Sequence, residues 1–159
     1  LTTEIGFSLA AAGAAFSVMQ ISGTFARLVM GWLADKLGGS WTLLLLAIAS
    51  SVMVFILSRI GQGSSYLNVT LISLVIGTTS TSWNGVYLAE VARLAPPGRV
   101  GDVTSGSTFF TFSGYLFAPI AFALAIPFAG SYGSCFFMLA PIALLAVPAL
   151  WRCKTQSPE

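Results

Sequence analysis

The sequence predicts an all-α protein, a polytopic membrane helix bundle with five transmembrane helices. Three observations carry that expectation. Only 8% of the 159 residues are charged and 56% are hydrophobic, with a mean hydropathy of +0.88. A soluble domain carries about 25% charged residues. The charges that exist are spaced so that residues 5–26, 37–58, 60–89 and 103–151 are charge-free. No stretch alternates polar and apolar residues as a barrel strand does, and backbone groups in lipid must then be satisfied within helices.

A spanning helix needs about 20 predominantly apolar residues. The first charge-free run supports a span over 6–32, closed by the polar stretch GWLADKLGGS at 31–40. That stretch is expected as a tight connection holding Asp35, Lys36, Gly38 and Gly39. The second span, 41–58, is almost uniformly apolar (LLLLAIASSVMVFIL) and ends at Arg59. The third, 67–91, contains the polar centre GTTSTSWNG at 77–85 and ends before Arg93 and the Pro96-Pro97 turn. The last run is 49 residues long and must hold two spans, 103–128 and 134–151. They separate at 129–134 (AGSYGS), where small and polar residues signal a turn. Pro119 and Pro127 are expected to kink the fourth helix, and Pro141 and Pro148 the fifth. Gly13, Gly23, Gly77, Gly85, Gly106 and Gly114 are expected to permit close helix approach or bending. The whole of 1–159 reads as a single membrane domain without a soluble domain or long linker.

Lys and Arg in short loops collect on the cytoplasmic side. Lys36, Arg93, Arg99, Arg152 and Lys154 fall on one side of the five spans, and Arg59 alone on the other. This predicts an N-terminus outside, with Glu4, and a cytoplasmic C-terminus. No basic leader precedes the first apolar run, so no signal peptide is expected. The missing initial Met suggests a fragment or a truncated reading frame.

The stretch at 31–40 resembles the loop signature of the major facilitator superfamily: Gly, three residues, Asp, a basic residue, any residue, Gly, a basic residue. Gly31, Asp35, Lys36 and Gly38 keep the pattern, and Gly39 departs from it at the last basic position. The order of features is similar to the C-terminal half of such a transporter, helices eight to twelve, hence a partial facilitator fold. WNGVYLAEVARLAPPGRVG resembles the end of helix ten and its turn, and GYLFAP at 114–119 resembles helix eleven. The alternative register, helices two to six, predicts a long basic loop after the last span, which this sequence lacks. The resemblance implies an integral protein of a bacterial cytoplasmic (inner) membrane that moves a small organic solute by alternating access. It also implies that Asp35 acts as a gate anchor, bracing against the start of the fourth helix near Asp102. Arg27, Glu90 and Arg93 are its candidate partners, and the competing reading makes these charges purely topological.

A candidate substrate path follows from polar stripes. Ser17, Gln20, Thr24 and Arg27 recur at helical spacing on the first span, and Thr104, Thr108, Thr111 and Tyr115 on the fourth. Trp83 and Asn84 belong to the polar centre of the third span, close to the midplane depth at which transporters bind solute, whereas Arg27 lies near the membrane boundary. Gln20, Thr24, Trp83, Asn84, Thr111 and Tyr115 are the candidates, although Ser and Thr in such helices also serve packing. The uniformly apolar second and fifth spans suit lipid-facing positions. The stripes suit an amphipathic organic molecule, while Arg27 leaves a case for an anion. No Asp, Glu or His sits near the centre of a span, where proton relays place them. Proton coupling would therefore use the missing half, or the protein is a uniporter.

Enzymatic activity is not expected. There is no His, no nucleophile–base set and no phosphate-binding glycine loop. No metal or cofactor is expected either, because Cys135 and Cys153 sit about 27 Å apart along the last helix. The net charge of +2 supports no nucleic-acid partner. The partners implied are the lipid bilayer, a small-molecule solute, and either a missing N-terminal half or a second copy. The alternatives are a non-transporting anchor or scaffold subunit, and an inactive remnant.

Overall fold

The computed structural model describes residues 2–61, 63–145, 147, 148 and 151, and the described residues contain helices and turns but no strand. After a single turn, α1 (Thr2–Ile5), the long helix α2 (Leu9–Leu37) begins where Ser8 Oγ accepts from the Ala11 amide at 3.2 Å. This is the usual hydroxyl N-cap. The helix runs past the expected end at 32, so Asp35 and Lys36 occupy its last turn rather than a loop. The reason is local: Leu33, Ala34, Lys36 and Leu37 are good helix formers, and Gly38 is the first residue to leave the helix.

Helix α3 (Gly39–Ser58) starts immediately, so the connection is Gly38 alone. Its φ of 92° is one that a side chain opposes. Its amide donates to Ala34 O at 2.8 Å, and its carbonyl accepts from the Thr42 amide at 3.1 Å.

The expected third span is two helices, α4 (Tyr66–Ser80) and α5 (Trp83–Leu94). No Gly or Pro causes the break. Thr81 Oγ1 donates to Gly77 O at 2.7 Å and Ser82 Oγ to Thr78 O at 2.5 Å. Hydroxyls that take up carbonyls of the preceding turn compete with the backbone amides and bend a helix. Five consecutive Ser and Thr residues, 78–82, concentrate that competition in one place.

Helix α6 (Val100–Ala129) continues through Pro119 and Pro127 for 30 residues, about 45 Å at the usual rise. Helix α7 (Tyr132–Leu139) is short, and the expected fifth span gives way at Pro141 to a 3-10 turn, Ile142–Leu145. Proline supplies no amide donor to continue the ladder. Beside this break, Ser51 Oγ of α3 donates to the Ala140 carbonyl. Ser51→Ala is expected to lower stability by about 1 kcal/mol, read as a fall in the thermal midpoint in detergent; an unchanged midpoint would contradict the role given to this bond. The tail that carries Arg152, Cys153 and Lys154 lies outside the described residues.

Among the described residues, three helices, α2, α3 and α6, are long and apolar enough to cross a membrane. The main packing is α2 on α4, with α3 against α4, α5, α7 and α2, and α6 against α5 and α7. The α2–α4 crossing is built on glycines. A Cβ on Gly77 would overlap Met19 O and Ser22 Oγ, and one on Gly23 would overlap Thr81 Oγ1 and lie 2.9 Å from Gly77 O. Ser22 Oγ donates across the crossing to Leu74 O at 3.0 Å. Small residues and interhelical hydrogen bonds hold membrane helices where no hydrophobic force separates them from lipid. Gly13, Gly85, Gly106 and Gly114 face open space, against the expectation of close approach there.

Burial reverses one further expectation. The uniformly apolar α3 is the most enclosed helix, with Thr42, Leu43, Leu44, Leu46 and Ser51 among its buried residues, while α6 has none. Uniform apolarity suits a protein neighbour as well as a lipid one.

Candidate functional site

The charge cluster forms where α3 begins and α5 ends. Glu90, only 7% exposed, accepts from Ser40 Oγ at 2.5 Å and receives a two-pronged bond from Arg93, Nε to Oε2 at 2.9 Å and Nη2 to Oε1 at 2.7 Å. One helical turn separates Glu90 from Arg93, which lets the guanidinium fork close on the carboxylate. Gly39 stands against this carboxylate: a Cβ there would lie 2.6 Å from Oε2.

Asp35 is exposed and forms no ion pair among the described residues. Lys36 lies over the Trp32 ring at 5.6 Å. The start of α6 carries its own acid, Asp102, which pairs with Arg99 at 3.2 Å. An acid in the first turn of a helix is favourably placed against the helix dipole. Glu90 and Arg93 are therefore brought together, Asp35 and Lys36 stand apart from them, and Gly31 lies half-buried in α2 with open space around it.

Arg27 is exposed on α2, and its Nε donates to the carbonyl of Thr81 at 3.4 Å. That carbonyl belongs to the residue closing α4, where free carbonyls and the negative end of the dipole favour a cation. Gln20 and Thr24 share the exposure of Arg27. Thr24 Oγ1 is taken up by Gln20 O at 2.9 Å, whereas the Gln20 amide makes no hydrogen bond with the described residues. Trp83 and Asn84 open α5, half-buried, with the Trp83 ring edge-on to Tyr87 at 5.5 Å. On α6, Thr111 Oγ1 donates to Ser107 O at 3.1 Å, and Tyr115 is exposed beside Phe112.

Two contacts escape a reading of the sequence. Ser40 is 50 positions from Glu90, and Tyr87 OH meets Ser107 Oγ at 2.5 Å across α5 and α6. Neither pair has a sequence signal beyond the presence of polar residues near helix ends or within apolar runs. A half-open cavity of about 370 Å³ lies among α2, α4, α6 and α7, with Phe16, Met19, Val69, Ser73, Phe122 and Tyr132 in its wall. It is mainly apolar, and the Arg27 stripe is not part of its wall. No group of His, Cys, Asp or Glu among the described residues could hold a metal ion.

Long apolar helices, a Gly-Asp-Lys-Gly corner and polar side chains on exposed helix faces form the setting for one comparison. The family model of the Major Facilitator Superfamily matches residues 1–159. The chain belongs to the major facilitator superfamily. Among curated proteins, it is 31% identical over 104 residues to "Probable nitrate/nitrite transporter NarK2" of Mycobacterium tuberculosis strain CDC 1551 / Oshkosh, covering 65% of this chain and 26% of that protein. The protein of the same name from strain ATCC 25618 / H37Rv gives the same figures. The matched region thus spans about a quarter of these relatives. No solved structure matches. Membership of this superfamily, with three helices long and apolar enough to span, makes the chain an integral membrane protein.

Proposed function

We propose that this superfamily chain is the C-terminal half, helices eight to twelve, of a secondary transporter that moves a small anion by alternating access. In this reading it sits in the bacterial inner membrane, with the N-terminus outside and the Gly38 turn and C-terminus in the cytoplasm. One observation carries the proposal: Arg27, Gln20 and Thr24 lie on an uncovered face of a long apolar helix. Lipid cannot satisfy a guanidinium and an amide on the face of a spanning helix, so such groups face a bundle interior or water. A pathway shared with a second half supplies that setting. The names of the relatives favour nitrate or nitrite over the amphipathic organic solute that Trp83 and Tyr115 suit.

The test is uptake in vesicles by this chain alone and by the chain joined to the N-terminal half of a nitrate/nitrite transporter. Nitrate, nitrite and a panel of organic solutes are offered. Anion uptake only in the joined form supports the proposal. Uptake of organic solutes alone would overturn the anion assignment, and properly inserted protein inactive towards every solute would favour an anchor or remnant.

Asp35 is the gate residue in this reading because it is exposed and forms no ion pair among the described residues, and is hence available to the other half. Asp35→Ala in the joined protein is expected to cut uptake about tenfold, the effect of one charge-assisted bond. Insertion and thermal midpoint should stay near wild type, as for surface substitutions generally. Wild-type uptake would refute the gate.

A further inference from the structure

The departure of Gly39 from the superfamily's loop pattern has a structural counterpart. A basic residue belongs at this position in the pattern, yet the space a side chain would enter is taken by a carboxylate from α5. Glu90 Oε2 would lie 2.6 Å from a Cβ on Gly39, and the Glu90 Cδ 3.0 Å from it. The same carboxylate accepts from Ser40 Oγ, in the first turn of α3, and is gripped by Arg93 from its own helix. It therefore sits at the positive end of the α3 dipole, where a negative charge is stabilised. Its position between the two helices leaves it only 7% exposed.

We propose that Gly39, Ser40, Glu90 and Arg93 form a strut inside this half of the bundle. Gly39 is its socket, and Glu90 is the positioning residue that fixes the start of α3 to the end of α5. Arg93 then delivers from α5 the positive charge that the loop pattern would otherwise deliver from position 39. All four residues belong to one five-helix unit. A motion of that unit as a body against a second half leaves their bonds intact, so the strut holds the corner rigid while Asp35, just before it, remains outside the pairing. The assignment of Asp35 to the other half rests on the transport reading above, whereas the strut itself does not.

The experiment is a double-variant cycle on the full chain, read as the thermal midpoint in detergent, with Gly39→Ala, Glu90→Ala and the two combined. Glu90→Ala removes the carboxylate and should lower the midpoint by roughly 5 °C. Gly39→Ala should lower it as well, because the new methyl displaces the carboxylate from Ser40 and Arg93. The combined variant should match Glu90→Ala alone, since the methyl then enters vacated space. Reductions that add, or a harmless Gly39→Ala, overturn the socket. If Gly39→Ala fails to insert, recovery of insertion in the combined variant supports the socket, and its absence counts against it. A conservative pair supplies a readout that loose packing would not give: Ser40→Thr keeps the hydroxyl and should retain the midpoint, while Ser40→Ala should not. Equal behaviour of the two overturns Ser40 as a donor. Because none of these readings requires transport, an inactive but intact strut would count against the transporter proposal alone.

Discussion

Gly77→Ala is expected to be the most damaging single methyl in the chain. The new Cβ would overlap Met19 O and Ser22 Oγ on α2. Backbone atoms such as Met19 O cannot swing aside as a flexible side chain can, so the helices must separate. Separation also breaks the bond from Ser22 Oγ to Leu74 O, 3.0 Å long, at the most extensive helix contact among the described residues. Overpacking of this kind costs about 1–3 kcal/mol, occasionally more. The measurement is the yield and thermal midpoint of folded protein in detergent. Gly114→Ala is the control: a Cβ there meets nothing within 4 Å, and alanine favours a helix over glycine by about 1 kcal/mol. Equal behaviour of the two variants would remove the crossing from the account of the fold.

Arg27→Gln is expected to reduce anion uptake by the joined protein about 10- to 100-fold, corresponding to about 1.5–3 kcal/mol for a bond to a charged group. The Nε bond to Thr81 O, at 3.4 Å, points one edge of the guanidinium at the end of α4. The terminal nitrogens make no hydrogen bond with the described residues and present a planar fork suited to an oxyanion. Glutamine retains a polar amide of moderate length but neither charge nor fork. Arg27→Lys separates the two contributions, because it restores the charge without the fork and should recover only part of the uptake. Insertion should be unaffected throughout, since the side chain is exposed and its bond to Thr81 O is long. Uptake at wild-type rate by Arg27→Gln would sink the anion assignment while leaving the family membership untouched.

The parts of this fold that were legible in the sequence depend on hydropathy and length. The scarcity of charge identifies α2, α3 and α6, because an apolar run of spanning length has few alternatives to a membrane helix. Hydropathy does not register where hydroxyls fold back onto carbonyls, so the break after Ser80 reads as the middle of a span. The end of α7 was marked by Pro141, but a proline in a membrane helix can also be accommodated, as Pro119 and Pro127 are in α6. Which helices are enclosed was the least legible feature. Leucine is equally at home beside lipid or protein, and α3 differs from a peripheral helix only in what surrounds it. At the candidate site, the spacing of Glu90 and Arg93 announces their pairing. The meeting of Glu90 with Ser40 depends on the packing of two helices, and the freedom of Asp35 depends on α2 continuing through it. Both are tertiary facts, available only once the helices are placed.

The single-residue corner at Gly38 bears on where the chain can be opened. Helices α2 and α3 are joined by no slack, so the placement of one in the bilayer fixes that of the other. The corner offers no length of chain for a protease to seize or for a foreign segment to be spliced into. Seven residues, 59–65, separate α3 from α4 at the opposite end, which makes that connection the more tolerant place to open or label the chain.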